Sequence, residues 1–158
     1  MLNKFLSVRK IVSGGQTGVD RAAWDFALAN GIPIGGHVPK DRLAEDGTIG
    51  EKYEPLIETN SKNPAERTRL NVQTSDATLI FTFAEPIGGT RLTIDVAESY
   101  GRTFLVVDLS DGISGEKLSA VSDWLKSAEP ASLNVAGPRA SEVPEAYSLA
   151  LEFLTGLI

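Results

Sequence analysis

The chain has 158 residues, 15 Lys plus Arg against 21 Asp plus Glu, a formal charge of -6, no cysteine and one histidine, His37. That length suits a single domain spanning 1–158, and 42% hydrophobic with 23% charged residues suits a soluble core. The missing cysteine excludes thiol nucleophiles, disulfides, iron-sulfur ligation and thiolate zinc, the lone histidine without a G-x-S-x-G elbow excludes a Ser-His triad, and the acidic excess argues against nonspecific nucleic-acid binding.

Residues 1–69 carry ten basic and nine acidic side chains, residues 70–158 five and twelve. No stretch reaches the roughly 18 apolar residues of a membrane span, and Met1 to Lys10 lacks an apolar signal core, so a cytosolic address is expected and no membrane partner. Arg9 to Ser13 reads as a short buried strand, and Gly14-Gly15-Gln16-Thr17-Gly18 follows. From Val19 to Asn30, Ala22, Ala23, Phe26 and Ala27 recur at helical spacing until Gly31 and Pro33 stop them. Residues 32–60 have no clear period and read as a long, partly irregular excursion of the kind that is often functional. Asn63-Pro64-Ala65-Glu66 starts a helix, with Asn as cap, Pro in the first turn and Glu three residues after the cap, running to about Gln73.

Ala77 to Phe83 is the second strong strand. Gly88-Gly89-Thr90 then opens a helix through about Tyr100, with Leu92, Val96 and Tyr100 four apart. Thr103 to Leu109 is a third strand, Ser114 to Ser127 a helix, Ser132 to Ala136 a fourth strand, and a last helix is expected from about Ser141. Strands that are apolar runs alternating with helices predict an α/β fold with a mostly parallel sheet covered by helices on both faces. In such sheets ligands bind beyond the carboxyl ends of the strands, where the strand order reverses. Glycine segments follow three of the four predicted strands there, after Ser13, Phe83 and Ala136.

A glycine loop opening a helix suits phosphate, because its backbone N–H groups and the helix dipole favour an anion. Gly14, Gly15, Gln16, Thr17 and Gly18 have that form, or that of a tight strand-to-helix turn; they match neither G-x-G-x-x-G nor the Walker lysine pattern. Gly88, Gly89 and Thr90 repeat the device, with Thr90 able to cap the helix or meet an anion. Asp20 and Arg21 stand in the first turn of the first helix, where an acid also complements the dipole. Lys40 lies in the irregular segment, placed to reach over the site or to stand in solvent. Arg67 and Asn71 share a helix face, either toward a pocket or toward solvent. Arg139, after Gly137-Pro138, stands at a strand end where a guanidinium can clamp phosphate. No metal site is expected of one imidazole.

Taken together, Ile11 to Ala23, Gly35-Gly36 through Pro39-Lys40, Ala44 to Gly47, Glu66-Arg67-Thr68 with Asn71-Val72, Gly88-Gly89-Thr90 and Leu133 to Arg139 resemble the molybdenum cofactor carrier family. That family lies in the SLOG superfamily of Rossmann-like domains, with the phosphoribohydrolases once labelled lysine decarboxylases. The resemblance covers nearly the whole chain. It implies a Rossmann-like three-layer sandwich and a homo-oligomer that binds molybdopterin, or its molybdenum form, through the phosphate and delivers it to molybdoenzymes. The hydrolase relatives carry P-G-G-x-G-T-x-x-E; with Gly89-Thr90 on its G-T, Thr93 stands where the glutamate belongs, which counts against that hydrolysis. The alternative within the superfamily is a sensor or processing enzyme for a nucleotide or ADP-ribose-like ligand.

Overall fold

The structure, a computed structural model, describes Phe5 and residues 7–158, so the reading of Met1 to Lys10 falls partly outside the described residues. In chain order the elements are β1 (Lys10–Val12), α1 (Val19–Ala29), β2 (Ile34–Gly35), β3 (His37–Val38), a 3-10 turn (Lys40–Arg42), β4 (Leu43–Ala44), β5 (Gly47–Thr48), β6 (Ile57–Glu58), α2 (Pro64–Thr74), β7 (Ala77–Thr82), α3 (Gly88–Ser99), β8 (Thr103–Asp108), α4 (Gly115–Ala128), β9 (Ser132–Ala136) and α5 (Ala146–Thr155). A five-stranded sheet of order β2-β1-β9-β7-β8, parallel at every pairing, forms the centre. All six residues of β7 are buried, as a strand flanked on both edges and covered on both faces requires.

Two apolar layers enclose the sheet. On one face α1 and α5 pack together and, with α4, cover Ile11, Leu79, Phe81, Leu133 and Val135; Phe81 meets Phe153 of α5 edge-on at 5.2 Å. On the other, α2 and α3 close over Phe104 through Val72, Leu92, Val96 and Ala97. The arrangement is a Rossmann-like α/β sandwich. The chain steps outward from β1 to β2, then returns to build β7, β8 and the inserted β9, so the direction reverses beside β1. The reversal leaves the carboxyl ends of β1, β9 and β7 side by side, and this is the crevice that such sheets offer a ligand.

One expectation is filled in and one corrected. The partly irregular 32–60 excursion contains short strands: Ile34–Gly35 adds the fifth strand of the main sheet, and β3 with β6 and β4 with β5 form two small sheets beside it. Trp24 Nε1 donates to the Gly35 carbonyl at 3.1 Å, and the Asp25 carboxylate accepts from the hydroxyls of Tyr53 (2.6 Å) and Tyr147 (2.5 Å), tying the excursion to α1 and α5. The last helix begins at Ala146, not Ser141. Pro144 lacks an N–H and disfavours helical backbone at Val143, so 139–143 forms a turn instead, with Glu142 N and Val143 N both donating to the Arg139 carbonyl.

Candidate functional site

Close backbone approach explains the glycines after β1. A side chain at Gly18, whose φ is 80°, would place its Cβ 2.3 Å from the Pro138 carbonyl oxygen. Through that gap Val19 N donates to Pro138 O at 3.2 Å, so the segment after β9 seals the beginning of α1. The loop is also satisfied from within: Gly15 N donates to Ser13 Oγ (3.0 Å), Gln16 N to Asp20 Oδ2 (3.4 Å) and Thr17 N to Gln16 Oε1 (3.1 Å). Of the Gly14 to Gly18 N–H groups expected to meet an anion, those of Gly15, Gln16 and Thr17 are therefore already bonded within the loop. Asp20, the buried acceptor behind the loop, has its carboxyl pushed up to about 6 by burial, against the opposing pull of Arg67 and the loop N–H groups.

Arg21 holds this loop from the side. Its Nε and Nη2 donate to the Gly15 carbonyl at 3.1 and 2.9 Å, while Nη1 and Nη2 fork onto Asp46 at 3.1 Å each, which holds the Asp46 carboxyl below the usual range. Glu45 next to it forms a latch. Its carboxylate accepts from the Thr17 hydroxyl, from Ser141 N (3.1 Å) and from Ser141 Oγ (2.5 Å), and lies 3.6 Å from Arg139 Nε. Glu45 N donates to Gln16 Oε1 at 2.8 Å. The hairpin of β4 and β5, the glycine loop and the segment after β9 are thus bound into one unit.

In front of that unit lies a cleft of about 340 Å³, lined among others by Gln16, Arg67, Thr68, Gly88, Gly89, Arg139 and Glu142. Arg67 lies across Gly14: a Cβ there would stand 2.5 Å from its Nε, so this glycine makes the seat for the guanidinium. Nη1 donates to Thr68 Oγ1 at 2.5 Å, whereas Nε is buried with no hydrogen-bond partner. Burial holds the Arg67 pKa below its usual value; the charge of Asp20 opposes that shift and the positive charge of Arg139 adds to it. Even so shifted, a guanidinium stays protonated. Two cations thus face one cleft, with Asp20 behind the floor and Glu45 and Glu142 beside Arg139 as their counter-charges.

The cleft also receives two helix beginnings. Asn63 caps α2 with Oδ1 accepting from Ala65 N at 3.0 Å, and Pro64 has no N–H, so α2 contributes its dipole rather than free donors. The N-cap of α3 is Ile87, whose side chain cannot accept a bond, which leaves the first-turn N–H groups from Gly88 onward without an acceptor of their helix. A Cβ on Gly89 would meet nothing within 4 Å, so the approach to those groups is open. Of the two roles open to Thr90, capping is removed: Ile87 takes that position and Thr90 is buried in the first turn.

Of the residues expected to form the site, the structure brings Gln16, Arg67, Gly88, Gly89 and Arg139 to the cleft wall. Gly14, Gly15, Thr17, Gly18, Asp20 and Arg21 are outside the lining; of these, Gly14 bears on the cleft through the Arg67 side chain that lies across it. Asn71 stands elsewhere: its Oδ1 accepts from His37 N at 2.7 Å and its Nδ2 donates to His37 O at 3.0 Å, so it pairs with β3 like a neighbouring strand. Lys40 is exposed on the 3-10 turn, outside the lining. Glu45, Asp46 and Glu142 were not among the expected site residues. Only the Ala44 to Gly47 stretch of the family resemblance pointed toward the first two, and Glu142 gave no signal. Thr93 Oγ1 donates to Gly89 O at 2.8 Å, so the position of the hydrolase glutamate holds a hydroxyl already bonded inside α3. No group of His, Asp and Glu able to hold a metal occurs among the described residues.

The comparisons with known proteins agree with this architecture. The model of the circularly permutated YpsA SLOG family matches residues 11–158. Among solved structures the chain is similar to one from Syntrophus aciditrophicus SB, named "Putative molybdenum carrier protein" and determined at 1.45 Å, with 42% identity, 96% of each chain covered and a TM-score of 0.92. No curated protein matches.

Proposed function

The chain belongs to the circularly permutated YpsA SLOG family, and we propose that it is a noncatalytic carrier that binds molybdopterin, with or without its molybdenum, through the phosphate. The observation that carries this reading is Arg67, whose buried Nε lacks an acceptor in a cleft that Arg139 and the open first turn of α3 also face. A buried donor left unpaired costs about 1–3 kcal/mol, more when charged. A phosphate there would accept from Arg67 and the α3 N–H groups together, and its charge would relieve the repulsion between the two arginines. A volume of about 340 Å³ is in the size range of small-ligand sites.

The similar structure's name supports a molybdenum-related cargo. Carrying needs donors and shape, and the bonded Thr93 hydroxyl offers no carboxylate for glycosidic cleavage. The glycine loop of the proposal works indirectly: Gly14 seats Arg67, and Gln16, its Oε1 occupied by Thr17 N and Glu45 N, has Nε2 left to donate into the cleft. Assembly as a homo-oligomer and delivery to molybdoenzymes belong to the same proposal and follow from the resemblance, and a cytosolic address from the lack of a long apolar helix among the described residues.

The test is mass spectrometry of the small molecule released when freshly purified protein is denatured, with fluorescence to detect oxidised pterin. A pterin bearing one phosphate is the expected species. Release of a nucleotide, together with a melting temperature raised by a nucleoside phosphate and not by molybdopterin, would overturn the carrier reading in favour of the nucleotide one.

A further inference from the structure

The cationic cleft does not end at Arg139. A second, more enclosed hollow of about 120 Å³ adjoins it between segments 82–90 and 138–143, and Glu142 lines both. Glu142 is an unexpected neighbour for an anion. Its Oε1 faces Arg139, 3.4 Å from the backbone N and 3.5 Å from Nε, while Oε2 has no donor among the described residues. Oε2 stands 3.6 Å from the place a Cβ on Gly88 would take, at the mouth between the two spaces. Beside a bound phosphate this carboxylate is repulsive, so it penalises a ligand that is phosphate alone and favours one that brings N–H donors to the same spot.

The hollow is built for the part of a ligand that bears such donors. Pro86, Pro138 and Val143 give it apolar walls. Thr82 and Thr90 also line it; they are 3% and 5% exposed, and neither hydroxyl has a hydrogen-bond partner among the described residues. Neither oxygen is among the fully enclosed atoms that lack a partner, so both stay open to solvent in the hollow and can meet a polar edge of a ligand there. We infer that Glu142 selects a flat aminoheterocycle with adjacent ring N–H and amino donors, an edge that pterin and guanine share, seated in this hollow while the attached phosphate lies on the Arg67 side. The inference rests on the anion reading of the cleft. Adenine turns a ring acceptor toward the same place, setting a lone pair against Oε2.

The test is calorimetric titration of the full chain and of Glu142→Ala, Glu142→Gln and Thr90→Val with four probes: inorganic phosphate, molybdopterin, guanosine monophosphate and adenosine monophosphate. Circular dichroism and a melting curve check that each variant folds. Glu142→Ala should weaken the preferred heterocyclic probe at least about tenfold, leave phosphate equal or tighter, and abolish the preference over adenosine monophosphate. Glu142→Gln should fall between, and Thr90→Val should weaken the same probe alone. The tighter of molybdopterin and guanosine monophosphate on the unaltered chain identifies the source of the ring. Equal weakening of phosphate would mean that Glu142 only holds Arg139, and would overturn the inference. So would unchanged heterocycle binding, or an unaltered chain that binds phosphate but no heterocycle. An unaltered chain that binds no probe, phosphate included, would instead refute the anion reading of the cleft, and this inference with it.

Discussion

Replacing three glycines by alanine separates three physical reasons for a glycine. At Gly31, with φ at 68° and nothing within 4 Å of a Cβ, alanine meets only backbone strain, about 1–2 kcal/mol. At Gly18 the strain is joined by a backbone oxygen at 2.3 Å and the Arg139 Cα at 2.9 Å, which cannot step aside as a side chain can. The two costs together come to roughly 3–5 kcal/mol, a large share of the about 5–15 kcal/mol that holds a domain folded. At Gly14 no positive φ is involved and the obstacle is the Arg67 side chain at 2.5–2.8 Å. Gly14→Ala should therefore cost only about 1 kcal/mol while unseating Arg67. Urea denaturation of the three variants reads the stabilities, and calorimetry with inorganic phosphate reads the seat. Gly18→Ala should be the least stable, and Gly14→Ala the one that stays folded but loses phosphate. A Gly18→Ala no weaker than Gly31→Ala would refute the close-approach explanation, and a Gly14→Ala with full phosphate affinity would refute the seat.

Burial that pushes Asp20 to about 6 means that the folded chain binds more protons than the unfolded one between about pH 4 and 6. Its contribution to stability is therefore best at low pH and declines as pH rises through 6, by roughly 3 kcal/mol in all. Urea titrations at pH 4.5 and 7.5 should show about 2 kcal/mol of this decline in the unaltered chain relative to Asp20→Asn; parallel behaviour would contradict it. Arg139→Ala should weaken phosphate about tenfold or more, and the unaltered chain's affinity should fall with added salt, both read by calorimetry. Arg21→Ala removes both bonds to the buried Gly15 carbonyl and the fork on Asp46. It should cost about 1–3 kcal/mol in urea denaturation, whereas Asp46→Asn, at an exposed partner, should cost less than about 1.

The long strands are legible because runs such as Ala77–Thr82 are apolar or β-branched throughout, as only a strand buried on both faces is. Ile34–Gly35 escapes notice because two residues carry no period; it joins the sheet through β1 and the Trp24 bond to Gly35, neither local in sequence. Gln16, Gly88, Gly89 and Arg139 can be placed near the cleft because they follow strands whose carboxyl ends lie side by side, and Arg67 because one face of its helix turns to that crevice. Asn71 misleads because spacing alone puts it on the face of Arg67, while its partner, the His37 backbone, is 34 positions away. The glycine loop misleads in a different way. Its spacing shows that N–H groups exist, and only the fold shows that Ser13, Asp20 and Gln16 already accept from those of Gly15, Gln16 and Thr17. Glu142 is hidden because a lone glutamate near a proline is what any exposed turn contains, and its meaning comes from the two hollows that meet at it.

Titration of the purified chain with molybdopterin, alongside Arg67→Met, tests most directly the claim that Arg67 and the opening of α3 hold an anionic cargo. Saturable binding by the unaltered chain, with Arg67→Met folded but at least about tenfold weaker, is the expected result. No binding at micromolar protein, or equal affinity in the two proteins, would contradict it.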